Sequence, residues 1–174
     1  MTIETGFPPI IDHRSRILIL GSMPSVASLQ QQQYYAHPQN AFWWIMQQLL
    51  GIDRALPYEQ RIKRLPGHGI GLWDVLHACR RQGSLDSAIE HDSVQANDFA
   101  ALLSAYPAVR AIFFNGKSVE QLFRRHVVRG QSFQPPVPLQ TLPSTSPANA
   151  RLRPADKCRQ WRVILEHLPV DSTG

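Results

Sequence analysis

The stretch ILILGSMPSVASLQQQQYYAHPQNAFWWIM, residues 17–46, decides the fold that we predict for this chain. Its first four residues are bulky and apolar, and a short run of this kind bounded by Gly and Pro is typical of a strand buried on both faces. The strand ends at residues 21–25, because Pro24 cannot continue the ladder and the small residues let a ligand approach the backbone. Open α/β folds bind ligands at the carboxyl ends of their strands. The sequence therefore predicts a ligand-binding loop here.

The second half of the stretch joins an aromatic and polar segment to a helix. Residues 34–40, YYAHPQN, are rich in side chains that stack or form hydrogen bonds and contain no acidic residue. Phe42, Ile45, Met46 and Leu49 then recur at helical spacing, and Asn40 stands where an N-cap is expected. The pattern predicts a helix that ends near residue 50.

Three further apolar runs predict the remaining strands, at residues 70–76, 111–114 and 139–142. Helices are predicted at residues 58–62, from Asp98 or Asn97 to Tyr106, at residues 118–128, and from Pro154 onward. The polar span 77–97 has no assignable pattern. Strands that alternate with helices indicate an α/β fold with a mostly parallel sheet covered on both faces.

The length and composition indicate a single globular domain that occupies residues 1–174. Residues 1–14 are expected to be an extended lead, and residues 170–174 a disordered tail. The net charge of +5 suits a polyanionic partner, although many basic proteins bind none. The two cysteines, Cys79 and Cys158, lack ligand-like spacing, which argues against an iron–sulfur cluster and a disulfide framework. We expect an intracellular, cytoplasmic monomer without metal, cofactor or membrane segment.

The segment Tyr35-Ala36-His37-Pro38, with Asn40, Phe42 and Trp43, resembles the first motif of the uracil-DNA glycosylase superfamily, in its mismatch-specific branch. Together GSMPS, YYAHPQNAFW and LPSTSPAN resemble the hypoxanthine-DNA (deoxyinosine) glycosylase family, over about residues 16–168. The resemblance implies a three-layer α/β/α sandwich around a small, mostly parallel four-stranded sheet. It also implies base-excision repair, in which the N-glycosidic bond of a flipped, deaminated base is hydrolysed in DNA. Hypoxanthine in double-stranded DNA is the expected substrate, with uracil and single-stranded DNA as alternatives.

The water-positioning residue departs from most of the superfamily. Other branches usually place Asp, Asn or Glu where this chain has Met23, and methionine cannot orient a water molecule. The resemblance to the deoxyinosine family assigns this role to Asn40. A neutral amide suffices if the sugar becomes an oxocarbenium-like cation before water bonds to it, because placing the water then matters more than deprotonating it. The alternative is that Asn40 is only a helix cap.

Two further residues are candidates for stabilising the departing base. His37 could stabilise the leaving base or bridge water, although a lone loop histidine more often has a structural hydrogen bond. Ser144 opens the second motif, where many relatives have histidine or asparagine, and its hydroxyl or the loop's N–H groups could donate to the base anion.

The base-binding residues follow from the same resemblance and from the strand ends. Tyr35 matches the aromatic residue that stacks on the flipped base, or else it covers a sheet edge. Asp74 could accept the N1–H of hypoxanthine, or else it caps a backbone turn. Asn115, at the end of another strand, is a weaker candidate for contact with the base. The first-motif residues predicted to line the base pocket are Gly21, Ser22 and Met23.

The DNA-binding residues are expected around the second motif. Ser146-Pro147 resembles the serine–proline pair that holds DNA phosphates, and Ala148 is too small to act as a wedge in the duplex. Wedge action would fall to Asn149 or Arg151. Other candidates for phosphate contact are Ser25, Lys117 and Arg151, although single cations are more often solvated surface charges. The motifs contain no lysine for a Schiff base, so no strand-cleaving step is expected.

Three other functions remain open from the sequence. The substrate could be chiefly uracil or a mismatched pyrimidine. The Met23 substitution also allows a protein that binds damaged DNA without releasing a base. The third alternative is a small-molecule enzyme on the same scaffold, because a fold does not determine a function.

Overall fold

The computed structural model of the chain describes residues 2–170, in which strands and helices are interspersed. The strands are β1 (Glu4–Thr5), β2 (Ile17–Gly21), β3 (Ile70–Asp74), β4 (Leu76–Arg81), β5 (Ile89–Ala96), β6 (Ala111–Asn115) and β7 (Leu139–Leu142). The α-helices are α1 (Val26–Gln31), α2 (Phe42–Leu50), α3 (Tyr58–Gly67), α4 (Phe99–Ala105), α5 (Lys117–Phe123) and α6 (Pro154–Trp161). A π-helical segment, Arg124–Arg129, continues α5, and a 3₁₀ segment, Arg162–His167, continues α6.

Four parallel strands form the central sheet in the order β3-β2-β6-β7. Ile17 of β2 is in register with Ile70 on one side and with Ala111 on the other. Every residue of β2 and β6 is buried. The predicted four-stranded parallel sheet is confirmed, and the carboxyl ends of its strands meet at one edge.

Successive side chains of β2 pack into two different cores, which confirms the three-layer α/β/α arrangement. Ile17 and Ile19 contribute to a core shared with α2, α3 and α6, which includes Phe42 and Trp161. Leu18 and Leu20 contribute to the opposite core, shared with α4, α5 and strands β4 and β5. A strand of continuous apolar residues is needed here because both of its faces are covered.

A second, antiparallel sheet in the order β1-β4-β5 lies within segments that the sequence left unassigned. Strands β4 and β5 lie almost entirely within residues 77–97, and strand β1 lies in the predicted extended lead. The predicted strand at residues 70–76 is wrong in its end, because β3 stops at Asp74 and Leu76 begins β4. The Val75 N–H makes the last ladder bond to β2, to the Gly21 carbonyl at 2.8 Å, and Leu76 then pairs with Ala96 of β5.

The helices differ from the predictions mainly at their ends. Helix α1 was not predicted; the Ser25 hydroxyl caps it by accepting the Ser28 N–H at 3.2 Å. Helix α3 runs to Gly67, beyond the predicted 58–62, and Asp98 caps α4 as predicted. The N-cap of α2 is Ala41, one residue after the predicted Asn40. Of the predicted tail, Val170 is exposed and residues 171–174 lie outside the described part.

No helix within residues 2–170 combines the length and the apolar character needed to cross a bilayer.

Candidate active site

A cleft of about 650 Å³ opens at the carboxyl edge of the central sheet. It brings together nearly all the residues that the sequence selected. The predicted catalytic and base-binding residues that line it are Asn40, Ser144, His37, Tyr35, Asp74, Asn115, Gly21, Ser22 and Met23. The predicted DNA-binding residues that line it are Ser25, Ser146, Pro147 and Asn149. Lys117 and Arg151 are exposed and are not among the lining residues of this cleft.

Backbone and side-chain hydrogen bonds join the two motifs across the cleft. The Ala41 N–H, at the start of α2, donates to the Thr145 carbonyl at 3.0 Å. The Thr145 N–H donates to Asn115 Oδ1 at 2.9 Å, and Asn115 Nδ2 donates to Thr145 Oγ1 at the same distance. Most of the Asn115 amide is therefore engaged in holding the second motif, and base binding by Asn115 stays a prediction.

Gly21, Asp74 and Tyr35 form the floor of the cleft. A Cβ atom on Gly21 would lie 2.5 Å from Asp74 Oδ1 and 3.1 Å from the Tyr35 hydroxyl, so both side chains converge on the glycine. Asp74 is 4% exposed, and its Oδ2 and the Tyr35 hydroxyl are buried with no hydrogen-bond partner within residues 2–170. Buried polar atoms are rarely left unpaired, so these two atoms retain hydrogen-bonding capacity beside the cleft.

Tyr35 has a strained backbone, with φ of 56°. A bulky residue seldom adopts this left-handed conformation, and such residues cluster at functional sites. The Tyr35 ring stacks on Phe42, with centroids 4.2 Å apart and an angle of 27° between the rings. Its neighbour Tyr34 instead belongs to the core, where its hydroxyl donates to the Pro8 carbonyl at 2.9 Å.

The carboxyl of Asp74 titrates in an unusual range. Its pKa is raised to about 7, chiefly by burial and to a lesser extent by the charge of Asp86, whereas the charge of Arg81 acts in the opposite direction. Burial also raises the pKa of the Tyr35 hydroxyl well above its usual value, with smaller contributions from the charges of Asp74 and Asp86, whereas the neighbouring Asn115 amide acts in the opposite direction. Near neutral pH the cleft therefore holds Asp74 in both its neutral and its ionised form.

Asn40 and His37 lie at the start of α2 with part of their hydrogen-bonding capacity in use. Asn40 Oδ1 accepts the Phe42 N–H at 2.9 Å, so the side chain supports the helix end even though it is not the N-cap residue. His37 Nδ1 accepts the Gln39 N–H at 3.1 Å, which places the proton of the neutral ring on Nε2. A second lone pair on Asn40 Oδ1 remains available for water.

The second-motif loop is held by its own hydroxyl groups and by a buried lysine. Ser144 Oγ accepts the Ser146 N–H, and Ser146 Oγ accepts the Ala148 N–H, each at 3.2 Å. Both hydroxyl hydrogens remain available for donation. Lys157 of α6 is 3% exposed and donates to the Ser146 carbonyl at 3.1 Å.

Two of the predicted residues at the first motif, Met23 and Ser25, contact other parts of the protein in ways that support the fold. Met23 is 6% exposed and packs into the core shared with α4 and α5. The Ser25 hydroxyl caps α1 and donates to Ser28 Oγ at 3.2 Å. DNA binding by Ser25 stays a prediction.

The structure adds residues that the sequence did not reveal. The turn between β4 and β5 contributes four residues to the cleft wall, residues 84–87, and its Asp86 accepts a hydrogen bond from Ser22 Oγ at 2.6 Å. These two residues are 64 positions apart, so no local pattern links them. Within residues 2–170, no group of three or more His, Cys, Asp and Glu side chains is arranged to hold a metal ion.

Comparisons with known proteins place these features in a family. A family model described as the uracil DNA glycosylase superfamily matches residues 8–168. A hypoxanthine DNA glycosylase of Methanosarcina acetivorans is 37% identical over 166 residues, which cover 95% of this chain and 99% of the relative. A hypoxanthine DNA glycosylase of Methanosarcina barkeri is 40% identical over 115 residues, covering 66% of this chain and 72% of the relative.

A solved structure resembles the chain over almost its whole length. It is a solution NMR structure from Methanosarcina acetivorans, provisionally described as a uracil DNA glycosylase. It has a TM-score of 0.74 and 38% sequence identity, and the match covers 95% of this chain and all of the other.

Proposed function

We propose that this chain, which belongs to the uracil DNA glycosylase superfamily, removes hypoxanthine from DNA by hydrolysing the N-glycosidic bond of deoxyinosine. Two relatives of substantial identity are named hypoxanthine DNA glycosylase, which supports this substrate. The observation that carries the proposal is the pair of unpartnered polar atoms, Asp74 Oδ2 and the Tyr35 hydroxyl, on the floor of the cleft.

These two groups match the edge that distinguishes hypoxanthine from adenine. Hypoxanthine offers N1–H as a donor beside the O6 acceptor, so Asp74 accepts from N1 while the Tyr35 hydroxyl donates to O6. Adenine has an acceptor at N1 and a donor at its exocyclic amine, and it would leave the ionised Asp74 and the hydroxyl mismatched. Unpaired buried groups are costly, so the mismatch favours the deaminated base. Uracil has the same donor–acceptor edge and is the second candidate base.

The base must leave the duplex before these atoms can reach it, and aromatic surface compensates for the lost stacking. Tyr35 retains partial exposure beside the cleft while one face of its ring lies against Phe42. Stacking of a flipped base on such a ring contributes about 1–3 kcal/mol. The strained conformation of Tyr35 supports a role in the site, because residues with such backbone strain cluster at functional sites.

Asn40 positions the attacking water in this proposal. Its Oδ1 is held by the Phe42 N–H and can accept a hydrogen from water through its second lone pair. The helix-end role and the catalytic role are therefore compatible. Ser144 Oγ and His37 Nε2 are the donors toward the departing base, since both retain a hydrogen after their contacts within the protein.

DNA phosphates are held by the second-motif loop. Ser146 and Pro147 line the cleft, and the ammonium of Lys157 lies directly behind the Ser146 carbonyl. Exposed Lys117 and Arg151 contribute at longer range, and Asn149 or Arg151 fills the gap left by the flipped base. We propose that the enzyme acts as a cytoplasmic monomer on double-stranded DNA, without a cofactor or a lyase step.

The test is base release from matched duplexes that carry one hypoxanthine, one uracil or only normal adenine. Wild type is compared with Asn40→Ser, which keeps an oxygen for the helix end but loses the amide, and with Gln39→Ala, an exposed neighbour. Loss of a water-positioning group is expected to lower the single-turnover rate by at least about 100-fold, while Gln39→Ala retains the rate. Unfolding transitions serve as the control for the fold.

Three outcomes would contradict the proposal. Release of uracil but not hypoxanthine would make the chain a uracil-specific member of the family. A folded wild type that binds DNA but releases no base would indicate a protein that binds damaged DNA. A folded wild type that fails to bind DNA at moderate salt would favour a small-molecule substrate.

A further inference from the structure

The turn between β4 and β5 places a second carboxylate in the cleft. Asp86 begins a short 3₁₀ segment, Asp86–Ala88, in this turn. Asp86 and its neighbours Ser84, Leu85 and Ser87 line the same cleft as Asn40 and Asp74. The proposed function gives none of these four residues a role.

Two hydroxyl groups hold the Asp86 carboxylate in one orientation. Ser22, at the carboxyl end of β2, donates to Oδ1 at 2.6 Å, and Ser118, in the first turn of α5, donates to Oδ2 at 2.5 Å. Each carboxylate oxygen retains a lone pair after these contacts. The geometry is that of a preorganised group, because its orientation does not depend on a bound ligand.

Asp86 has no cation beside it within residues 2–170, where the ion pairs involve other carboxylates. Its charge nevertheless reaches the floor of the cleft, since it is one cause of the raised pKa of Asp74. A free negative charge repels DNA phosphates and weakens binding of the ground state. A group that opposes substrate binding is useful only where positive charge develops later in the reaction.

We propose that Asp86 is a further catalytic residue, whose carboxylate faces the deoxyribose of the flipped nucleotide and stabilises the positive charge that develops at C1′. This inference rests on the proposed function. The C1′–N9 bond breaks, and its electron pair leaves with hypoxanthine. The oxygen of water then bonds to C1′ and loses a proton, which the departed base anion takes up through solvent. Asp86 forms no covalent bond.

The carboxylate thus supplies what Asn40 and Met23 cannot. An amide orients water without carrying charge, and a thioether does neither. An oxocarbenium-like transition state is stabilised by a nearby fixed negative charge, particularly in a site that excludes water. The two carboxyl groups thus have different tasks: Asp74 recognises the base, and Asp86 stabilises the sugar cation.

Asp86→Asn tests the proposal, because it removes the charge with little change in shape. Single-turnover release of hypoxanthine is measured at saturating enzyme, and affinity is measured with a duplex that carries 2′-fluoro-2′-deoxyinosine, which resists hydrolysis. We expect the rate to fall by about 100-fold or more, while affinity for the duplex stays equal or increases. A purely structural clamp would instead lower the melting temperature and weaken binding together with the rate.

Two further variants keep the test decisive if Asp86→Asn folds poorly. Ser118→Ala removes one hydroxyl contact but keeps the charge, and it is expected to lower the rate by less than about tenfold. Asp86→Glu keeps the charge at a shifted position and should exceed Asp86→Asn in rate. A release rate for folded Asp86→Asn within about threefold of wild type would overturn the role of Asp86 and leave the proposed function intact. A wild type that releases no base would contradict the proposed function itself.

Discussion

Asn115 and Thr145 exchange two hydrogen bonds of 2.9 Å between the end of β6 and the second-motif loop. Both residues are buried, at 6% and 1% exposure. The same Thr145 accepts the Ala41 N–H through its carbonyl, so one residue connects the second motif to the start of α2. The two motifs therefore hold a common geometry although more than half of the chain separates them.

Removing the Asn115 side chain should destabilise the protein more than removing the Thr145 hydroxyl. Asn115→Ala leaves the buried N–H and Oγ1 of Thr145 unpaired, at an expected cost of about 1–3 kcal/mol for each group. Thr145→Val leaves only the Asn115 amide short of one partner, at about 1 kcal/mol. Urea unfolding measures the order, and base release should fall in the same order. Equal stabilities for the two variants would contradict this account.

Gly21→Ala should disable the site with little effect on the rest of the fold. The new methyl group would meet Asp74 Oδ1 at 2.5 Å and the Tyr35 hydroxyl at 3.1 Å, and the buried carboxylate has little room to move. A displacement of about 1 Å at a reacting centre costs on the order of 100-fold in rate. Gly67→Ala is the matched control, because its nearest neighbour would be Arg14 Nη1 at 3.6 Å. Base release separates the two variants, and equal rates would contradict the prediction.

Loss of the hydroxyl should change the unfolding free energy in opposite directions at the adjacent residues Tyr34 and Tyr35. Tyr35→Phe removes a buried hydroxyl without a partner, so the unfolding free energy should rise by about 1 kcal/mol. Its hypoxanthine release should nevertheless fall by about tenfold, because the donor to O6 is lost. Tyr34→Phe removes a satisfied bond to the Pro8 carbonyl and should destabilise the protein. Chemical unfolding and base release test both substitutions, and a destabilised Tyr35→Phe would refute the assignment.

Asp74 should make the folded protein less stable as the pH rises from about 4 to about 7. Its folded pKa is raised to about 7, chiefly by burial, whereas an unfolded aspartate titrates near 3.9. Between these values the folded state holds a proton that the unfolded state has lost. The contribution to unfolding free energy therefore falls by up to about 1.4 kcal/mol per pH unit, and it changes little above pH 7.

The contribution of Asp74 is measured from the unfolding free energies of wild type and Asp74→Asn between about pH 4 and pH 7. It is the difference between the two curves of unfolding free energy against pH. Asp92→Asn is the control, because the Asp92 side chain is 84% exposed. Asp86→Asn should move the upper end of the Asp74 transition to lower pH, since the Asp86 charge helps to raise that pKa. Parallel profiles for wild type and Asp74→Asn would show that Asp74 titrates normally.

Lys157 should contribute to DNA binding from its buried position behind Ser146. Lys157→Gln keeps a donor for the Ser146 carbonyl but removes the charge. The negative slope of the logarithm of the DNA-binding constant against the logarithm of the salt concentration should therefore become shallower by about 0.9. Lys63→Gln, on the exposed side of α3, should leave the slope unchanged. Fluorescence anisotropy with duplex DNA at several salt concentrations measures both. An unchanged slope with a lower melting temperature would make Lys157 purely structural.

The central sheet was predictable because each of its inner strands is a continuous apolar run. Residues 17–20 and 111–114 carry that pattern, and burial on both faces requires it. The antiparallel sheet was not predictable in the same way. Strand β4 reads LHACRR, and two register shifts interrupt its pairing with β5, so neither strand shows a sustained alternation. Its pairing with β1 joins residues more than 70 positions apart.

The residues of the candidate site likewise fall into a predictable group and a group that the sequence did not reveal. Most of its predicted residues belong to two short motifs, and a parallel sheet brings such strand-end loops to one edge. Asp86 and Lys157 were missed because they lie in segments with no motif, and their hydrogen bonds join residues distant in the chain, Ser22 and Ser118 for Asp86 and Ser146 for Lys157.

The sequence by itself determined the family, the parallel sheet and the residues that meet at its carboxyl edge, because local apolar runs and motif spacing carry that information. The tertiary structure alone decided which polar atoms stay unpartnered, which carboxyl titrates near pH 7 and which carboxylate faces the cleft without a cation. Hydrogen bonding and desolvation depend on atoms that are distant in the chain and close in space. No local sequence pattern records them.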